Sequence, residues 1–168
     1  VTDSIIESHL LSGVLIWNNA ANNIIGPRNE ISMNGSDGVH IDGAGTMGNV
    51  VTQSGIRDND GKGIYLHNGA NGGMLPPALV SQDLTSLNGT ACPFCTVELF
   101  ASNDTDGEGW MYIATEIADG AGDFTFTDFI LPYDRLTATA TDATDGTSEF
   151  SVILTSQNYY VLLPLVIR

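Results

Sequence analysis

The chain has 168 residues, with 5 Lys or Arg set against 20 Asp or Glu and a net charge of −15. Such a surface repels nucleic acid and anionic membrane, because both are held through cationic contacts. No run of 18 apolar residues is present to form a membrane-crossing helix, and 19 glycines among many Asn, Asp, Ser and Thr suit loop-rich β structure better than helix.

The first 73 residues repeat. Gly13-Val14-Leu15-Ile16, Gly38-Val39-His40-Ile41 and Gly63-Ile64-Tyr65-Leu66 recur at an interval of 25, and Ile6, Ile31 and Ile56 keep it. A third column, Asn23-Ile24-Ile25 and Asn49-Val50-Val51, falls within one residue of the same interval. A fixed period of this size marks stacked repeats. Short β-type runs between Gly, Asn, Asp and Ser, without an amphipathic helix, predict a coil of parallel strands with rungs ~4.8 Å apart. These segments resemble the right-handed parallel β-helix repeats of secreted bacterial and archaeal surface proteins, a resemblance that implies a fold and little chemistry. The first residues already lie in a rung pattern, which reads as a solenoid that starts without a cap, in a trimmed piece of a larger precursor.

Strand alternation then sorts the solenoid side chains. With Val14, Ile16, Val39, Ile41, Ile64 and Leu66 inward, two outward columns follow: Leu15, His40, Tyr65 and, beside it, Trp17, Asp42, His67. The patch of Trp17, His40, Asp42, Tyr65 and His67 suits stacking on the C–H faces of a glycan. It suits equally a protein contact, since Trp and Tyr anchor interfaces, or a plain exposed ladder. Asp42 and His67 have no nucleophile beside them, and the solenoid cations Arg28, Arg57 and Lys62 fall outside that column. The residues therefore argue against a polysaccharide lyase or hydrolase, and no catalytic residue is assigned.

Gly72-Gly73-Met74-Leu75-Pro76-Pro77 stops the ladder and closes a first domain at 1–75. Strands are expected at Ala78–Gln82, Thr96–Ala101, 110–117, 124–127, 136–141 and 149–154. The turns expected between them are Asn88-Gly89, Asp104-Thr105-Asp106-Gly107, Asp119-Gly120-Ala121-Gly122 and Asp145-Gly146-Thr147. That spacing predicts a small antiparallel β-sandwich over 76–157. The phrases Thr96-Val97-Glu98-Leu99-Phe100, Gly122-Asp123-Phe124-Thr125-Phe126, 136–142 and 147–151 resemble the immunoglobulin-like modules that follow β-helices in bacterial surface proteins. The resemblance implies a spacer or adhesive unit.

Cys92-Pro93-Phe94-Cys95 lacks the strand-then-helix setting of a redox C-x-x-C. Two cysteines in an acidic, exported-looking chain read as one small-loop disulfide, Cys92 to Cys95. Asp104, Asp106 and Glu108 start like a calcium loop, but the position for a bidentate Glu holds Thr115, so a solvated hairpin turn competes with a calcium site. Asp58-Asn59-Asp60-Gly61 reads as a rung corner. Asn34, Asn88 and Asn103 head N-x-S/T sequons, candidate glycan acceptors as well as chance matches.

The tail 158–168 is almost wholly apolar: Tyr159, Tyr160, Val161, Leu162, Leu163, Leu165, Val166 and Ile167, interrupted by Pro164. Left exposed it is an aggregation hazard. It is expected to dock as a strand, either on its own sandwich or on a neighbouring subunit. The whole reads as an all-β chain: a short parallel β-helix of about three rungs, an immunoglobulin-like sandwich and an apolar tail strand. The expected role is that of a non-enzymatic extracellular or cell-surface structural protein, assembling head-to-tail with copies of itself. The alternative is a glycan-binding or adhesive fragment. No cofactor is required beyond the optional calcium, and neither nucleic acid nor membrane insertion is expected.

Overall fold

The computed structural model describes residues 1–82, 86–103, 107–127 and 135–155. The chain is all-β. Rung one holds β1 (Ile5–Glu7), β2 (Val14–Ile16) and β3 (Ile24–Ile25); rung two holds β4 (Glu30–Ser32), β5 (Val39–Asp42) and β6 (Val50–Val51). Rung three holds β7 (Gly55–Arg57) and β8 (Ile64–His67), with a 3₁₀ turn at Ala70–Gly73 in place of a third strand. The sheets β1-β4-β7, β2-β5-β8 and β3-β6 are parallel throughout.

The repeat interval is the strand register. Ile6 pairs with Ile31 and Ile31 with Ile56; Val14, Val39 and Ile64 align, as do Ile16, Ile41 and Leu66. Ile25 lies against Val51, so the third column keeps its extra residue. Ile16, Ile31, Val39, Ile41, Ile56 and Ile64 fill the coil, and Val14 and Leu66 pack partly buried against them.

Two asparagine ladders line the corners. Asn34 Nδ2 donates to Asn59 Oδ1, and Asn23 Nδ2 donates to Asn49 Oδ1, both at 2.8 Å. Asn34, Asn59, Asn49 and Asn71 each accept a main-chain N–H of the rung before, from His9, Asn34, Asn23 and Asn49 respectively, which satisfies donors that a tight corner leaves without a strand partner.

After the solenoid come β9 (Ala78–Gln82), β10 (Ser86–Thr90), β11 (Thr96–Ala101), β12 (Met111–Ile117), β13 (Asp123–Thr127) and β14 (Arg135–Asp142). Two short strands, β15 (Gly146–Thr147) and β16 (Leu154–Thr155), complete the order. One antiparallel sheet runs β13-β10-β9. The other runs β12-β11-β14-β15, with β16 also on β14. With β15 and β16 as two halves of one last strand, a three-stranded and a four-stranded antiparallel sheet form a β-sandwich. Leu87, Val97, Leu99, Phe124, Phe126, Leu136 and Ala138 form its core.

Two sandwich expectations need correction. Asn88-Gly89 is no turn; both residues lie in β10, the middle strand of its sheet, opposite Thr125 and Phe124. The Phe124 ring covers Gly89 where a Cβ would stand, so the glycine makes room for packing rather than for a bend. The expected strand at 149–154 is interrupted. The hydroxyls of Ser148 and Ser151 accept the amides of Ala140 and Ala138, both at 3.0 Å, in place of ladder carbonyls. That break releases Glu149 and Phe150 from the sandwich and turns them toward the solenoid.

β11 is buried on both faces. Val97 and Leu99 point into the sandwich, while Phe100 joins the solenoid core beside Phe150 and Glu98 bonds to Thr52 and Gln53 between β6 and β7. Three carboxylates on this side take solenoid amides: Glu98 from Gln53, Glu108 from Asn59 and Glu149 from Leu66. Thr147 Oγ1 accepts the amide of Val51, and Gly109 O that of Ile56. The chain's own sandwich thus closes the exit end of the coil. Among the described residues, the strands of rung one pair with those of rung two.

Candidate functional site

The outer face of the β2-β5-β8 sheet collects the predicted patch. Register sets Leu15 beside His40 and His40 beside Tyr65, with Asp42 paired to His67. Trp17 lies one residue beyond the Ile16–Ile41 pair and is 62% exposed. The rings touch: His40 meets Tyr65 edge-on at 5.0 Å and His67 at 5.9 Å, and Tyr65 stacks on His67 at 5.4 Å. Parallel in-register strands repeat every side chain at the rung spacing, so one aromatic or imidazole per rung builds a continuous ladder.

Hydrogen bonds fix the polar members. His40 Nδ1 lies 2.8 Å from Asp37 Oδ2, whose other oxygen accepts the amide of Lys62 at 2.9 Å. His67 Nδ1 lies 3.0 Å from Asp42 Oδ1, which also accepts Asn68 Nδ2. Lys62 Nζ sits 4.8 Å over the Tyr65 ring and pairs with Glu149 at 2.6 Å. The face therefore carries two buttressed imidazoles, a carboxylate with lone pairs facing solvent, and an open Trp.

Asp37 was not legible in the sequence. It precedes Gly38 by one residue and repeats in neither other rung, so periodicity gave no signal for it. A second unforeseen feature is a groove of 580 Å³ between solenoid and sandwich, lined by Arg28, Asn29, Glu30, Gly55, Arg57, Asn103 and Trp110. Arg28 is paired to Asp3, and Arg57 to Glu30 and Asp58. The 25-residue spacing of Asp3 and Arg28 was the available clue.

The other sequence candidates separate. Cys92 and Cys95 form a disulfide with a Cα separation of 5.4 Å. Asn34 is 1% exposed and both ends of its amide are bonded inside the solenoid, which leaves no room for a glycan. It is removed from the acceptor candidates. Asn88 and Asn103 are exposed. Glu108 is also 1% exposed and spends its carboxylate on Asn59, so it faces the solenoid rather than a cation loop. Asp104, Asp106 and the tail 158–168 lie outside the described residues. Among the described residues no helix is long and apolar enough to cross a membrane.

No protein-family model matches this chain, and no curated protein matches it in sequence.

Proposed function

We propose that this chain is a non-enzymatic extracellular structural protein that assembles head-to-tail with copies of itself into a filament or surface layer. The acceptor in this reading is the exposed apolar surface of rung one, and the donor is the apolar tail at 158–168. One observation carries it: the two ends of the coil are treated differently. The exit end is covered by Glu98, Glu108, Glu149, Thr147 and Phe150 of the same chain, which meet the last strands of rungs two and three. Rung one instead concentrates exposed apolar side chains, with Leu10 at 93%, Leu11 at 75% and Ile5 at 70% exposed. Exposed apolar side chains beside a strand suit docking of an added apolar strand, and a heterologous contact between unlike surfaces propagates. The disulfide supports an oxidising compartment.

A charge of −15 opposes self-association, so salt decides when assembly occurs. Sedimentation velocity is expected to show concentration-dependent growth that strengthens toward about 1 M salt, where the Debye length falls to ~3 Å. Introducing Leu10→Glu and Leu11→Glu together is expected to abolish it. A monomer at every concentration and salt level would rule the reading out.

Glycan binding is the second reading, favoured by the exposed Trp17 beside the His40–Tyr65–His67 ladder. Retention on a glycan array that is lost in Trp17→Ala, in a chain that stays monomeric, would place this reading first.

A further inference from the structure

His40, Asp42 and His67 each offer a ligand atom, and the three atoms lie within 4.8 Å of one another. Two imidazoles and one carboxylate form a donor set suited to borderline first-row divalent ions, since calcium and magnesium prefer all-oxygen shells. Zinc sits ~2.0–2.2 Å from such ligands in a tetrahedral array. Its ligand atoms would therefore be about 3.3–3.5 Å apart, so closing the cluster takes small χ rotations of half-exposed side chains.

Two further observations point the same way. Metal-bound histidines usually donate their other ring N–H to a carboxylate, which fixes tautomer and ring direction. Asp37 stands in that position toward His40 Nδ1 at 2.8 Å, and it is itself buried and anchored by the Lys62 amide. Asp42 and His67 are already paired at 3.0 Å across adjacent strands, so the rigid ladder presents two donors together before any cation arrives. The approach is open, with the Asp42 and His67 side chains 36% and 47% exposed.

We propose that His40, Asp42 and His67 form a binding site for one divalent transition cation of the zinc class, with Asp37 as the residue that positions His40. Solvent would complete the shell. The site uses none of Ile5, Leu10 and Leu11, so it does not depend on the assembly reading.

Isothermal titration of the full chain with zinc chloride tests it, with calcium and magnesium chloride as comparisons. One zinc per chain is expected, with little heat from calcium or magnesium. His40→Ala and His67→Ala should each weaken zinc by tenfold or more. His9→Ala, which changes the remaining histidine of the chain, should leave it unchanged. Asp37→Asn should weaken zinc by about 10–100-fold at a temperature where the fold is intact, an affinity change that a purely structural role would not produce. Cobalt binding to the unaltered chain provides a readout free of substitutions, through the visible bands of a low-symmetry nitrogen–oxygen site. Zinc binding that survives both histidine substitutions, equal binding of calcium, or no binding by the unaltered chain would each overturn the proposal.

Discussion

Glu108 stands toward Asn59 as Asn59 stands toward Asn34. Asn59 Oδ1 accepts the main-chain and side-chain N–H groups of Asn34 at 3.1 and 2.8 Å; the Glu108 carboxylate accepts the same two groups of Asn59 at 3.2 and 2.9 Å. The substitution extends to the apolar column. A Cβ built at Gly13 meets Ile31 at 2.9 Å, one at Gly38 meets Ile56 at 2.5 Å, and one at Gly63 meets the Phe150 ring at 2.9 Å. Glu108 and Phe150 therefore occupy the places that an Asn and an Ile would hold in a fourth rung. The sandwich closes the solenoid by imitating its next turn.

Removing one of these groups should unfold solenoid and sandwich together. Glu108→Ala removes the acceptor of the part-buried Asn59 amide and one of the acceptors of its Nδ2, at about 1–3 kcal/mol in all. Urea denaturation should show one shifted transition, with a smaller shift for Glu108→Gln, which keeps an acceptor. A solenoid transition that stays in place would contradict the imitation.

Phe150→Ala should destabilise by about 3–5 kcal/mol, as expected for emptying a buried aromatic site. Gly38→Ala should also destabilise, here by overpacking, at about 1–3 kcal/mol or more. The reason is that the new methyl meets Ile56 and the Gly63 carbonyl, neither of which can move without shifting rung three. Thermal unfolding of both variants checks the pair, and an unchanged midpoint for Gly38→Ala would refute the packing argument.

The pH dependence has two opposite parts. Burial raises the Glu98 carboxyl above its ordinary value, against the lowering effect of its bonds from Thr52 and Gln53. Its folded form holds a proton more firmly than its unfolded form. Its contribution therefore falls as pH rises from the ordinary glutamate range through the raised value. Asp119 and Asp142 are lowered, by amides of Asp123 and Ala121 and of Thr144 and Asp145 respectively. Their contribution is present above the ordinary aspartate value and is lost as pH falls through the depressed one. Relative to Glu98→Gln, the unaltered chain should lose stability as pH rises through the first window. A difference that is flat with pH would show that Glu98 is not perturbed.

Reduction of Cys92–Cys95 should lower stability by about 2 kcal/mol, the loop-entropy value for so short a ring. Urea midpoints with and without reductant check this. A loss far above that would mean the bridge also organises the neighbouring strands.

The solenoid was legible because its periodicity is its register: residues 25 apart are strand neighbours, and inward and outward faces follow by alternation. The patch of His40, Asp42, Tyr65 and His67 was legible for the same reason. The closure was not. Glu98, Glu108 and Glu149 meet the coil from 45 to 96 residues beyond its rungs along with Thr147, and nothing periodic connects them. Within β11, alternation places Glu98 and Phe100 on one side of the strand but does not report what lies against that side. Asn88-Gly89 misled for a local reason, since the same dipeptide serves a turn and a strand packed under an aromatic ring.

Electron microscopy of the chain at micromolar concentration in high salt tests assembly most directly, compared with a chain ending at Asn158 and with the Leu10→Glu, Leu11→Glu chain. Regular filaments or sheets are expected from the unaltered chain, and single particles from the other two. Monodisperse particles in all three, or filaments unaffected by either change, would contradict it.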